Sequence, residues 1–480
     1  MDWLGRISPF WPHLAAGFGL LASLLASAHV LLHKRDVRAA TLWIGLVWLM
    51  PVLGPLLYLA LGINRIRRRA LKLGVQKPAR IPILEDLDEP SHKDAEHLIS
   101  LARVVDRVVA KPLTAANRVQ PLVNGDQAFP AMLAAIESAR ESLSLVSYIF
   151  DNDASGQQFA SALGRAVKRG VAVRVLIDDA GTRYSWPPIT HRLNVLGVRC
   201  AQFLPASLLT PWRVTTINLR NHRKILVVDG NTAFTGGMNI RHGNALSDHP
   251  QKPVQDLHFR VEGPVVSQLQ EAFASDWAFT TGEILEGETW FPQLDGPGNI
   301  IARVISDGPD ADFEKARWTL LAALAEAQTS VQILTPYFLP DPTLVTALNL
   351  AALRGVRLDI VLPSKNNLPY VHWASRAMWW QVLEHGCHIW LTAPPFDHSK
   401  LMVVDGHWVL LGSVNWDARS LRLNFELNVE CYGRDLAREV TAVIEEKLDG
   451  AHEVTLAEVD ARTIPGKLRD AAARLFSPFL

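Results

Sequence analysis

Two runs near the amino terminus contain no charged side chain, Trp11 to Leu32 and Thr41 to Ile63. At a rise of about 1.5 Å per residue each could cross the roughly 30 Å hydrocarbon layer of a bilayer as a helix, so the pattern predicts a transmembrane hairpin over residues 1–72. Pro51 and Pro55 are expected to kink the second span rather than forbid it. A cleaved signal peptide is the rival reading of the first run, since Ala26-Ser-Ala28 resembles a cleavage site; the length of the run and the second span right after it weigh against that. Lys34, Arg35 and Arg38 lie between the spans, whereas Arg6 and the cluster Arg65, Arg67, Arg68, Arg69 and Lys72 flank them. The larger basic count predicts that both termini are cytoplasmic, and it places the cluster where anionic headgroups would attract it.

Residues 73–117 read as a linker, with Pro78, Pro82 and the acidic run Glu85 to Glu89, followed by an amphipathic docking helix beginning near Ser91. Beyond it strands and helices alternate. Ser142 to Phe150 reads as a strand, Gly156 to Lys168 as a helix and Gly170 to Asp178 as a second strand, a βαβ unit that implies parallel pairing. The same order returns as Ser330 to Phe338, Pro342 to Arg354 and Gly355 to Pro363. The expected fold class is therefore α/β, with two lobes over 118–292 and 300–455 and a tail over 456–480. Each lobe is a mixed sheet flanked by helices, and duplication suggests a pseudo-twofold relation that brings both lobes to one cleft.

Composition narrows the chemistry. Lys plus Arg and Asp plus Glu number 48 each, so the 480-residue chain has no basic footprint for nucleic acid. Cys200, Cys387 and Cys431 are far apart and form no CxxC pair, as expected of thiols in a reducing compartment. Trp3, Trp11, Trp43 and Trp48 suit an interfacial belt. Trp373, Trp379, Trp380 and Trp390 are either core or a lip touching lipid.

The strongest signal is a repeat. Asn221 to Ile240 aligns without a gap on Asp397 to Trp416, and each copy carries His-x-Lys, four residues and Asp: His222, Lys224, Asp229 and His398, Lys400, Asp405. Each copy then reaches an Asn seventeen positions after its His, Asn239 or Asn415. Positions i and i+2 of a strand share a face, so each imidazole stands beside an ammonium, an arrangement suited to an anion. A phosphodiester between two such pairs could be held by Lys224, Lys400, Asn239 and Asn415 while one imidazole attacks phosphorus and the other protonates the leaving oxygen. The two rings must then differ in protonation, so each needs a carboxylate; Asp256 and Glu426, in short strand-like runs, are the candidates. Asp229 and Asp405 occupy Asp-Gly turns, where bracing competes with a part in the chemistry. No metal-ligand spacing is present, His385-x-x-His388 reading as an exposed helix face, and neither metal nor cofactor is expected.

At these residues the sequence resembles the phospholipase D superfamily, whose signature is the doubled His-x-Lys-x4-Asp, and within it the bacterial cardiolipin synthases. The likeness extends to Pro51-Val-Leu-Gly-Pro-Leu-Leu-Tyr58, Arg220-Asn-His-Arg-Lys224, Gly236-Gly-Met-Asn239, the run Asp256 to Pro264, Thr335-Pro-Tyr-Phe338 and Arg474-Leu-Phe-Ser-Pro478. The resemblance implies metal-independent phosphatidyl transfer at the inner membrane, with the lobes cytoplasmic. One phosphatidylglycerol would become a phosphatidyl-histidine enzyme, and a second would accept the group to give cardiolipin and glycerol. It makes His222 the nucleophile and His398 the general acid and base, with Glu426 holding His222 and Asp256 holding His398. Hydrolysis, phosphatidylethanolamine as donor, and nuclease action are the alternatives within the superfamily. One chain carries both motifs, so an oligomer is not required. The sequence departs from the pattern after the first motif, at Arg241 to His249, and at Asn366-Asn367, both of which bear on the acceptor.

Overall fold

The computed structural model describes residues 11–34, 37–62, 96–205, 219–309 and 312–477. These fall into two compact units, one ending at Gly62 and one running from Glu96 onward. Arg6, the basic cluster 65–72, the acidic run 85–89 and the expected helix start at Ser91 lie outside the described residues.

In the first unit α1 (Trp11–His33) is one uninterrupted helix, and its stretch from His13 to His33 is long and apolar enough to cross a membrane. The second apolar run is not one kinked helix. Helix α2 (Val37–Leu49) has 13 residues, about 20 Å of helix, too short for a bilayer. The chain then reverses through Met50 to Val52 and returns along α2 as α3 (Leu53–Leu57) and a π-helical turn (Tyr58–Gly62). Reversal is visible in the side chains: the Tyr58 ring lies 5.2 Å from that of Trp43, and its hydroxyl is 2.8 Å from Nδ1 of His29. The proline-rich sequence explains it. Pro51 and Pro55 have no N–H to extend a helical ladder, and Gly54 lets α3 close on α2. A Cβ there would lie 2.5 Å from the Leu46 carbonyl oxygen and 2.7 Å from Val47 Cα. Ser23 of α1 donates to the carbonyls of Val47 and Pro51, so the backbone groups exposed by the turn are partly satisfied by α1.

The second unit begins with α4 (Leu98–Val109), whose Leu98, Leu101, Ala102, Val105 and Val109 bury a helical stripe in the core of the second half. Two matching sets of strands follow. The first is β1 (Thr114–Val123), β2 (Ser142–Ser147), β3 (Ala172–Asp178), β4 (Cys200–Phe203), β5 (Ile225–Val228), β6 (Thr232–Gly236), β7 (Val254–Gln255) and β8 (Leu257–Glu262). The second is β9 (Ile300–Asp307), β10 (Ser330–Leu334), β11 (Arg357–Pro363), β12 (His388–Thr392), β13 (Phe396–Asp397), β14 (Leu401–Val404), β15 (Trp408–Gly412) and β16 (Glu426–Tyr432), with β17 (His452–Val454) added at the edge. Their order across one fifteen-stranded sheet is β17-β12-β11-β10-β14-β15-β16-β9-β1-β8-β6-β5-β2-β3-β4. Leaving out β17, the order is a palindrome of equivalent strands about the antiparallel β1–β9 pair, so the expected lobes are two halves of a continuous sheet. Parallel pairs β2–β3 and β10–β11 sit where the βαβ pattern put them.

Helices cover the sheet. They include α5 (Asn124–Ser138), α6 (Ala154–Lys168) and α7 (Val265–Thr281) in the first half. The second half has α8 (Lys315–Glu326), α9 (Pro342–Leu353), α10 (Pro369–Arg376), α11 (Ala418–Arg422), α12 (Arg434–Leu448) and α13 (Ile464–Arg474). Each half has its own apolar core. The tryptophans before the second motif divide: Trp379 is core, Trp373 and Trp390 are half-buried, and Trp380 is exposed.

Candidate active site

Each histidine is stitched by its own backbone to the other half. Asn221, just before His222, bridges in parallel to Phe425, and β13, just before His398, pairs in parallel with β7. The His222 N–H donates to the Phe425 carbonyl and the His398 N–H to the Gln255 carbonyl, both at 2.8 Å. Phe425 and Gln255 immediately precede Glu426 and Asp256. The crossing is thereby fixed: Nδ1 of His222 meets Glu426 Oε2 at 2.9 Å, and Nδ1 of His398 meets Asp256 Oδ2 at 2.9 Å. With both Nδ1 atoms held by carboxylates, Nε2 is the nitrogen each ring has left for chemistry. The ring centroids are 6.3 Å apart at an interplanar angle of 80°, about two hydrogen-bond lengths, which admits one tetrahedral phosphate between them.

Lys224 and Lys400 stand two residues on, on the same face, and are buried. Each Nζ donates to the carbonyl of its own histidine, that of Lys224 at 2.6 Å. Two N–H bonds per ammonium remain for an anion. Aromatic side chains wall the site: Tyr148 lies 5.1 Å from His222 and 5.6 Å below the Lys224 ammonium, while Tyr337 and Phe396 lie 6.5 and 6.0 Å from His398. Asn239 accepts from the Ile149 N–H through Oδ1, leaving its NH2 group for a ligand. Asn415 donates to Ser420 Oγ at 3.0 Å, and its Oδ1 is buried without a partner among the described residues. Turned about its terminal bond, the same amide would offer its NH2 to the site.

Burial sets the electrostatics. It lowers His222 to about 4 against the pull of Glu426, helped by the charge on Lys224; burial and then Lys400 lower His398 to about 4. Burial lowers Lys224 to about 7 and Lys400 to about 8 against the pull of Glu426 and Asp256, and the charge on Lys400 adds to the lowering of Lys224. The two carboxylates are held in their charged form. Burial alone would raise both, but His222, Lys224 and the Ser413 hydroxyl hold Glu426 below its ordinary range, as His398, Lys400 and His258 do for Asp256. The centre thus has more cationic capacity than anionic charge to satisfy it, and a phosphate monoanion supplies the missing charge.

The motif aspartates do not join this centre. Asp229 and Asp405 lie beyond β5 and β14, about 20 Å of strand from their histidines, both with left-handed backbone. Asp229 accepts from the amides of Arg140, Glu141 and Ser142. Asp405 accepts from those of Gln328, Thr329 and Ser330 and from His97. They close the turns that start β2 and β10. Their grouping with the catalytic residues is corrected accordingly, the turn-forming role having won.

Sequence reasoning missed several supports. Ser413 and Asn424 both donate to Glu426, the latter at 3.1 Å. Asp256 instead receives its own strand's Leu257 N–H at 2.9 Å, and at the position equivalent to Ser413 stands Gly237. A Cβ on Gly237 would collide with Asp256 Oδ1. The two halves therefore hold their carboxylates differently, a longer acid with a hydroxyl against a shorter acid with bare space. The only trace in the sequence is Gly-Gly against Gly-Ser ahead of each Asn. Beneath the motifs, Asn221 bonds Asp276 on α7 at 2.7 Å, whereas its counterpart Asp397 pairs with Lys447 on α12 at 2.6 Å. His385 and His388 have separate partners, the Gln381 carbonyl and Glu453. Among the described residues no three His, Cys, Asp or Glu side chains converge as a metal site.

Residues 132–277 and 320–448 match the family described as cardiolipin synthase, PLD-like domain, and residues 21–62 match the phospholipase D-nuclease N-terminal family. The chain is 31% identical to the major cardiolipin synthase ClsA of Bacillus subtilis over 480 residues, 96% of this chain and 98% of that protein. It is 32% identical to a cardiolipin synthase of Geobacillus over 461 residues, 94% of this chain and 90% of that one. Among solved structures, a phosphatidylserine synthase from Haemophilus influenzae superposes with a TM-score of 0.62 at 15% identity, covering 79% of this chain and all of that one, a likeness of fold.

Proposed function

The chain belongs to the cardiolipin synthase family of phospholipase D-like proteins, and on that premise we propose that it joins two phosphatidylglycerol molecules into cardiolipin and glycerol. The observation that carries this reading is the crossed pair of histidine–carboxylate contacts with the rings 6.3 Å apart. His222 Nε2 attacks the phosphorus of the first lipid, forming an N–P bond as the bond from phosphorus to the glycerol oxygen breaks. His398 gives its Nε2 proton to that oxygen, and glycerol leaves. The glycerol hydroxyl of a second lipid then yields its proton to His398 and attacks phosphorus, and the N–P bond breaks as cardiolipin departs. Lys224 and Lys400 hold the non-bridging oxygens while phosphorus is five-coordinate.

Supporting the split of roles is the unequal support of the two acids. Glu426 shares its charge among His222, Ser413 and Asn424, whereas Asp256 has His398 and one main-chain N–H. The less satisfied carboxylate stabilises an imidazolium better, which favours His398 as the proton carrier. Burial makes both rings resist protonation, so the incoming phosphate charge arms the acid only when substrate is present.

The protein associates with membrane through its apolar amino-terminal unit. We further propose one crossing, by α1, with α2 and α3 as a re-entrant hairpin, and a cytoplasmic catalytic unit. That arrangement puts Lys34, Arg35, Arg38 and the cluster 65–72 on one side of the bilayer and leaves Arg6 on the other, a much larger basic asymmetry than two full crossings would give. The decisive experiment is product analysis: full-length protein in vesicles of phosphatidylglycerol with chelator is expected to form cardiolipin and glycerol in equal amounts. Phosphatidic acid as sole product would refute transfer.

A further inference from the structure

Helix α13 is built inside out. Its one acidic residue, Asp470, is fully buried, and Arg462 and Arg469 donate to it at 2.9 and 2.7 Å while Arg376 of α10 lies at 3.5 Å. The Arg469 guanidinium also stacks 4.5 Å over the Trp373 ring. Facing outward, at i, i+4, i+7 and i+11, stand Ile464, Leu468, Ala471 and Leu475, a single stripe. Ile464, Leu468 and Leu475 are 74, 66 and 77% exposed, and Phe476 follows at 63%. Lys467 and Arg474 are exposed along its flanks, and Arg462 to Ser477 holds four basic residues against one acidic. A surface helix in water turns its apolar stripe to the core. Here an ion network fixes the opposite orientation.

We propose that this face of α13 docks into an anionic phospholipid surface. Its apolar stripe would sit among the acyl chains near the headgroups and its flanking cations among the lipid phosphates. The occupant follows from charge and from reach: the stripe is edged by cations, and the chain carries its own apolar α1, so a bilayer is always at hand. On its inner side Ala473 packs against the small cluster of Leu339, Val371 and Ala374, on which Tyr337 also packs, and the Tyr337 ring lies 6.5 Å from that of His398. The docking helix is thus one packing layer from the candidate active site. This assignment does not depend on which reaction is catalysed.

The test uses the full chain in vesicles with lipid-borne bromine quenchers. In a Cys200→Ser background, Leu468→Cys and Leu475→Cys carry an environment-sensitive fluorophore, with Glu446→Cys on the exposed side of α12 as the control. In vesicles containing phosphatidylglycerol, quenching at 468 and 475 is expected to exceed that at 446 several-fold, and Lys467→Glu with Arg474→Glu to reduce it. Probes at 468 and 475 quenched no more than at 446, whether water-exposed or shielded by a second copy of the chain, overturn the proposal. Equal quenching in phosphatidylcholine alone overturns its anionic part.

Discussion

Glu426 meets His222 at 2.9 Å although 204 residues separate them in the chain. Neither half contains a complete imidazole–carboxylate pair, so the smallest working unit is both halves together. Glu426→Gln keeps the shape and removes the charge. It is expected to lower the transfer rate by roughly 10²–10⁴-fold, the usual scale of a general acid–base contribution. Rate and thermal melting measured together check that the loss is chemical.

The lysines make the anion hold pH-dependent. Because Lys224 and Lys400 are lowered to about 7 and 8, each gives up its proton at lower pH than an ordinary lysine, and affinity for a phosphate falls as pH rises through that window. A profile of kcat/KM, which reports the free enzyme, should show its alkaline limb at about pH 7–8. An alkaline limb near 10 would contradict the buried pair.

Gly237 should tolerate no side chain. Gly237→Ala is expected to push Asp256 off His398 and to cost about 1–3 kcal/mol by overpacking, with activity falling further than stability. Ser413→Ala, its counterpart, removes one donor from Glu426 and opens space, so it should be milder in both urea unfolding and turnover.

Asp405 should matter for folding more than for chemistry. Asp405→Ala orphans three amides and is expected to destabilise by about 1–3 kcal/mol while the remaining folded enzyme turns over normally. Despite burial, these amides and the Thr329 hydroxyl hold its carboxyl below the ordinary value. Its contribution is therefore present above the unfolded pKa and lost as pH falls through the folded one, which acid titration of Asp405→Asn against the parent would reveal.

A re-entrant hairpin predicts opposite labelling of neighbouring loops. A cysteine at Asp36 should react only from the cytoplasmic side and one at Asp2 only from the other, whereas two full crossings would put Asp2 on the cytoplasmic side with the catalytic unit.

Much of this was legible in the sequence because it depends on local chemistry. The βαβ pattern, the repeat and the paired His-x-Lys residues all follow from periodicity and spacing. What was hidden was long-range. Nothing in Pro51-Val-Leu-Gly-Pro55 separates a kink from a reversal until Gly54 is seen closing on Leu46. Ser413 and Asn424 have no spacing signature, since their partner is reached across a strand pair. The inverted face of α13 depends on where Asp470 finds three arginines, one of them on another helix.

The fifteen-stranded sheet passes from one half to the other through the antiparallel β1–β9 pair, whose register shifts between Thr114 and Asn117. A hinge between the halves would have to part that strand pair and the crossed β7–β13 pair as well. With the rings 6.3 Å apart there is room for one phosphate between them, so the first product must leave that position before the second lipid can use it. The ping-pong kinetics that a covalent intermediate gives would then go with strict alternation of departure and arrival at one shared position.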